Sequence, residues 1–298
     1  REVIVTLCLS VILLLLGRFA LAAQEKEETA AFRGNLVEML QRTERSIKIV
    51  REQIVENQTA PFLADLYLQL GELLSQKANV FYYIQMEREN KSDSTVTTVD
   101  GAKKFSPVTE AMMEAVVIFK DILRDFKNFD KRKKVYYLLA VSLKSIDEVP
   151  LFIKVVGQLL QEYPDTQEAV RVRLLLGQHY FDKRQYQDAA DLFKPAATAP
   201  FVYERNLARY RLGVIALTAE KYADSLLYFE LVALDEDLRE EDTEVSLSLK
   251  TKQVNSNLKR EALIDSIRAY TYVHAKEPKP VEYYSRISPT EGLFQEVI

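Results

Sequence analysis

Cysteine, histidine, glycine and proline are all scarce in this chain: its 298 residues include one cysteine, two histidines, eight glycines and nine prolines. The cysteine, Cys8, sits inside an apolar run, so the rest of the chain has no thiol and no disulfide can brace it. His179 and His274 are far apart, without a cysteine or a His-x-x-x-His partner, which leaves no zinc-ligand pattern. The scattered glycines form no G-x-x-x-x-G-K-S/T, G-x-G-x-x-G or G-x-S-x-G, so neither a phosphate cradle nor a nucleophile elbow is written. No cofactor, no metal and no catalytic constellation is expected. Few glycines and prolines also disfavour turn-rich sandwiches and barrels. Charge of one sign is lacking too: 40 Lys and Arg against 44 Asp and Glu give a net charge of −4, without the basic excess of a nucleic-acid binder.

What is present favours helices. Hydrophobic residues make up 48% and charged residues 28%, enough to bury a large core, and Leu, Ala, Glu, Lys and Gln are abundant. The expected class is all-α. Val3 to Leu16 is an apolar run too short to span a bilayer comfortably, followed by Ala20-x-Ala22. This has the form of a secretory signal peptide cleaved near residue 23; an uncleaved signal anchor in the inner membrane is the alternative, and the only route by which the chain would be anchored in a membrane. Cys8 lies within the run, not at its end, so it does not look like a lipidation site.

One skeleton is written twice. In "LGQHYFDKRQYQDAADLF" and "LGVIALTAEKYADSLLYF", the pairs Leu176-Gly177 and Leu212-Gly213 lead to Tyr186 and Tyr222, then to Phe193 and Phe229, at a uniform offset of 36 residues. The first copy adds Tyr180 and Ala189; the second has Ala216 and Ser225 there. Upstream, Leu139-Ala140, Leu143, Phe152 and Val156 match with substitutions, and Pro164 closes the unit. A further copy is split. Leu70-Gly71 and Leu74 supply its first helix, which runs to Arg88, and Ala115, Phe119 and Ile122 its second, with the polar stretch 89–107 between them. Ser106-Pro107 reads as an N-cap followed by proline at the first helical position. Asp165 with Glu168 reads as a capping-box-like start for the helix carrying Gly177.

These spacings resemble the tetratricopeptide repeat (TPR), in which a small residue on helix A lets helix B approach and Ala and Phe on helix B fill the gap. The resemblance implies an α-solenoid of antiparallel helix pairs with a concave face lined by helix A. It maps candidate groove positions to Tyr137, Val141 and Lys144, to Leu174, Gln178 and Phe181, and to Tyr210, Val214 and Leu217. A peptide or helix of a partner protein would lie there; cover by the chain's own inserts or N-terminal helix is the alternative. With the leader and the degenerate repeats, the chain is similar to exported bacterial envelope TPR proteins of the cell-division-coordinator or gliding-motility type. The implied role is a noncatalytic periplasmic scaffold that binds envelope proteins. An inner-membrane-anchored adaptor and a noncatalytic domain of a larger envelope enzyme remain as alternatives.

The expected organisation is a signal peptide over 1–23, a lead helical segment over 24–58, a TPR-like array over 59–234 interrupted at 89–107, an acidic and polar insertion over 235–257, and a degenerate helix pair over 258–298 that continues past the last residue. Within the insertion, Val245, Leu247 and Leu249 alternate, as in a helix extension or a short strand. Pro278 and Pro280 mark the turn of the last pair. In the lead segment, Leu36, Leu40, Thr43, Ile47, Val50 and Ile54 form a stripe. It reads either as a coiled-coil seam or as a first helix laid on the array. The basic cluster Lys131 to Lys134 opens a helix and reads as a solvated face, with contact to anionic lipid as the minor alternative.

Overall fold

The computed structural model describes residues 34–89, 106–235, 248–288 and 290–298. Residues 1–33, where the signal peptide is expected, most of the 89–107 insertion, positions 236–247 and residue 289 fall outside the described residues. Every regular element among those described is a helix: α1 (34–56), α2 (Leu63–Glu89), α3 (Pro107–Asp125), α4 (Arg132–Ser145), α5 (Val149–Glu162), α6 (Gln167–Asp182), α7 (Tyr186–Ala196), α8 (Val202–Thr218), α9 (Tyr222–Ala233), α10 (Ser248–Val273), α11 (Pro280–Ile287) and α12 (Glu291–Val297). The fold is all-α, with helices packed as adjacent pairs. The chain divides into two compact units, the first ending at Val149 and the second starting at Pro150.

In the first unit the stripe on α1 faces inward. Leu36, Thr43, Ile47 and Val50 are buried, and Leu40 and Ile54 are half-buried. Glu44 pairs with Lys77 on α2 at 3.0 Å, and Arg51 with Glu114 on α3 at 2.8 Å. The lead segment is therefore a first helix lying on its neighbours, because its apolar seam is already covered within the chain. Helices α2 and α3 form the split pair. Gly71 on α2 faces the ring of Phe119 on α3 so closely that a Cβ would lie under 3.0 Å from it. Ser106 caps α3 as its sequence predicts: its hydroxyl accepts from the Thr109 N–H, and Pro107 follows in the first turn.

Three of the four cations in the basic cluster at the start of α4 are engaged inside this unit. Lys131 bonds Asp65 at 2.6 Å and Lys134 bonds Glu72 at 2.5 Å, both on α2. Arg132 donates to the carbonyls of Leu123 and Phe126 at the C-terminal end of α3, where orphan carbonyls and the negative end of the helix dipole favour a cation. Leu139, Ala140 and Leu143 are buried on α4, while Phe152 and Val156 are buried on α5, beyond the division between the units.

In the second unit the written repeat becomes a repeated contact. Gly177 on α6 faces Phe193 on α7, and Gly213 on α8 faces Phe229 on α9; in each, a Cβ would come under 3.0 Å from the ring. Around the first contact Val170, Leu174, Ala189, Phe193, Ala196, Ala208 and Leu212 form a core that joins α6, α7 and α8. Helix α6 starts one residue later than its sequence predicts. Thr166 is the cap, accepting from the Ala169 N–H, and Asp165 lies outside.

The turns repeat as well. Asp147, Arg184 and Glu220 have φ of 59°, 60° and 58°. After each, the next N–H bonds back five residues at 2.9 Å: Glu148 to Leu143, Gln185 to Tyr180 and Lys221 to Ala216. The left-handed residue itself bonds back three, as Arg184 does to Phe181 at 2.8 Å. This is the Schellman closure, built here without the glycine it favours.

The end of the second unit differs from the sequence reading at one boundary. α10 is a single helix that runs through positions 257 and 258, where the insertion was separated from the last pair, so Leu249 belongs to a helix extension and not to a strand. Positions 245 and 247 lie outside the described residues. Pro280 opens α11, and α12 packs Val297 into a core with Leu226, Leu263, Tyr270, Tyr283, Tyr284 and Ile287. Tyr222 and Tyr272 stack face to face, with centroids 4.0 Å apart and planes at 3°.

Candidate functional site

The nine groove positions predicted from the sequence fall in both units. Tyr137, Val141 and Lys144 lie half-buried on α4 in the first. The other six lie on α6 and α8 in the second. Leu174 is a core residue, 9% exposed and enclosed with Val170, Ala208 and Leu212. Gln178 and Phe181 are half-buried further along α6; the Gln178 side chain donates to Asp182 at 2.5 Å. On α8, Tyr210, Val214 and Leu217 are half-buried against Phe229 and Val232 of α9 and Leu258 and Ala262 of α10. At α8 the neighbouring element is α10, through Leu258 and Ala262, and neither an insert nor the N-terminal helix.

The helices that carry Gly177 and Gly213 are in contact along a seam, and α10 continues it beside α8. Arg211 lies between two of the predicted rings, 5.8 Å from the centroid of Phe181 and 5.7 Å from that of Tyr210. The Tyr210 hydroxyl donates to Asp265 on α10 at 2.8 Å. Burial, then this bond, pushes the Tyr210 phenol well above its ordinary range, so it remains a donor at physiological pH. At the other end of the seam Glu204, 4% exposed, accepts from Arg171 at 2.7 Å and Gln167 at 2.9 Å, joining α8 to α6.

A second polar centre closes α8 and α9. The Asp235 side chain is 7% exposed, and its Oδ2 accepts from Arg205, Asn206 and Arg209 at 2.8 to 3.2 Å. Lys259 on α10 donates to the Asp235 carbonyl at 2.7 Å. Burial pushes the Asp235 carboxyl upward, but the bonds from Asn206 and Arg205 and the nearby guanidinium charges outweigh it and hold the group below the usual carboxylate range. Its place at the head of the acidic run hid this residue in the sequence.

A third feature is an aromatic cleft around residues 270–284, which the sequence reading did not single out. Tyr270 stacks on His274 at 4.6 Å, and Tyr283 lies 4.6 Å from Tyr270 and 5.0 Å from Tyr284. The Tyr283 hydroxyl donates to Glu230 Oε1 at 2.5 Å. Burial, then this bond to Glu230, pushes the Tyr283 phenol far up. Burial pushes that of Tyr284 up to about 12, against the bond it shares with Ser266.

Among the described residues no group of three or more His, Cys, Asp and Glu side chains is gathered as a metal site, and no helix is long and apolar enough to cross a membrane. No family model and no curated protein matches the chain.

Proposed function

We propose that this protein is a noncatalytic scaffold of the tetratricopeptide kind, and that it holds a partner polypeptide across the face on which α6, α8 and α10 lie side by side. The observation that carries this reading is the repeated glycine-to-phenylalanine contact. A single helix pair cannot cover its own apolar side, so stacked pairs share a core and leave one face of each first helix toward solvent. On that face Gln178, Phe181, Arg211 and Tyr210 offer half-exposed aromatic surface, a donor and a cation, the mixture of apolar anchors and polar groups with which extended segments are recognised. The leader-like start, with its Ala20-x-Ala22 site, supports placing the scaffold in the bacterial envelope, with an envelope protein as its partner.

Site-directed photocrosslinking in intact host cells tests it. A photoreactive residue at Gln178 is expected to trap a defined partner that one at Gln187, exposed on the outer side of α7, does not. Equal trapping from both positions, or none from Gln178, would overturn the reading.

A further inference from the structure

Where α10 turns into α11 the second unit leaves an open cleft of about 340 Å³ between the end of α10, the start of α11 and α9. Its walls are Tyr270 from α10, His274 just past its end, Lys279, Tyr283 and Arg286 from the turn and α11, and Glu230 from α9. Glu277 and Glu282 complete the lining. Three carboxylates therefore meet two cations. Lys279 is matched to Glu282 at 3.8 Å, and Arg286 lies over the Tyr283 ring, 5.6 Å from its centroid. Glu230 makes no ion pair among the described residues.

The Tyr283 hydroxyl bonds Oε1 of Glu230 and so fixes the carboxylate's orientation, while a carboxylate has acceptor capacity on both oxygens. An oriented, half-buried acid without a cation, beside a stacked Tyr270 and His274, matches a positively charged planar or compact group on an apolar stem.

We propose that this cleft binds a guanidinium or ammonium group, with Glu230 as its carboxylate partner and the His274 ring, stacked on the buried Tyr270, packing against the stem. The ligand class is a basic side chain of a polypeptide or a free organic cation; the shared chemistry is the charged nitrogen group. An anionic ligand is disfavoured, because it would meet Glu230 and Glu277 and find only Arg286 unmatched by a carboxylate. The site is distinct from the face along α6, α8 and α10, so its failure would leave the scaffold reading standing, and the reverse.

The test uses the whole chain and three probes: the blocked tripeptide acetyl-Gly-Arg-Gly-amide, methylguanidinium, and acetyl-Gly-Glu-Gly-amide. The chain has only two histidines, so the ring-proton resonances of His274 report occupancy directly in the unaltered protein, with His179 as the internal control. Saturable shifts at His274 and not at His179 are expected with both guanidinium probes and not with the glutamate tripeptide. Tighter binding of the arginine tripeptide than of methylguanidinium assigns the ligand to a polypeptide, and equal binding assigns it to the cationic group alone. Glu230→Gln, which keeps an acceptor for Tyr283, should weaken the arginine probe about tenfold or more, as loss of one partner of a charge-assisted bond does. Glu277→Gln should change it by less than about threefold, as expected for a rim charge. Absence of shifts at His274, equal response to the glutamate tripeptide, or unchanged affinity in a folded Glu230→Gln would each sink the proposal. If Glu230→Gln does not fold, the wild-type His274 shifts decide alone.

Discussion

Glycine at positions 71, 177 and 213 is present for want of a Cβ and not for backbone freedom. All three sit inside helices, where glycine costs about 1 kcal/mol relative to alanine, yet each faces a phenylalanine ring that occupies the volume a methyl group would need. Gly177→Ala should therefore destabilise the protein by about 1–3 kcal/mol, the range for overpacking a dense core, because the Phe193 ring is wedged between helices and has little room to yield. Gly157→Ala is the natural control. That glycine lies exposed on α5 with nothing within 4 Å of where a Cβ would sit, and the substitution should add roughly 0.5–1 kcal/mol. Urea unfolding of both variants separates the two effects by sign. This contact was legible in the sequence, because Leu-Gly and Phe recur at a constant spacing. Leu174 was not: its helical position matches that of Tyr210, but its neighbours Ala208 and Leu212 close over it, and only the packing of α8 reveals that.

At the scale of the element, the turns carry the least expected information. A left-handed residue after a helix normally advertises itself as glycine or asparagine, and here the three positions hold Asp147, Arg184 and Glu220. Nothing in their identity announces the conformation, so the hairpin turns could be placed from the repeat spacing but their geometry could not be read. A non-glycine residue in this region costs about 1–2 kcal/mol. Arg184→Gly should recover up to about 1 kcal/mol of that, part of the gain being lost to the freer unfolded chain, and a thermal-shift measurement should show a higher midpoint. A lower midpoint would mean that the Arg184 side chain contributes more than its strain costs. The stretch around 257 was open in the sequence, between a helix extension and a short strand, for a related reason. The acidic head and the alternating Val245, Leu247 and Leu249 obscured a helical start, and α10 is long enough to run through the composition change.

For the molecule as a whole, the second unit is joined across successive helix pairs by polar bonds as well as by apolar packing. Glu204 links α6 to α8, and Asp235 joins α8 to the end of α9 and, through its carbonyl, to α10. The Asp235 linkage gives stability a pH dependence whose direction is fixed. Its native pKa is held below the unfolded value of about 3.9, so the unfolded chain binds its proton first as pH falls. The contribution is full above that value and is lost as pH drops through the native one. Asp235→Asn should cost about 2–3 kcal/mol at pH 7, as removal of a buried charge facing two guanidinium groups does. The gap from wild type should shrink below about pH 4, when denaturant midpoints are compared across pH. A gap that stays constant down to pH 2 would assign the loss to packing instead.

The paired rings of Tyr222 and Tyr272, set flat against each other where α9 begins and α10 ends, have an optical consequence. The chain contains 16 tyrosines and no tryptophan, so nothing absorbs or emits at longer wavelength to mask phenol bands. Two phenols in parallel contact share their electronic excitation, and that coupling exists only while α9 and α10 are docked. The protein thus carries its own chromophore pair, a built-in gauge of whether those two helices remain together.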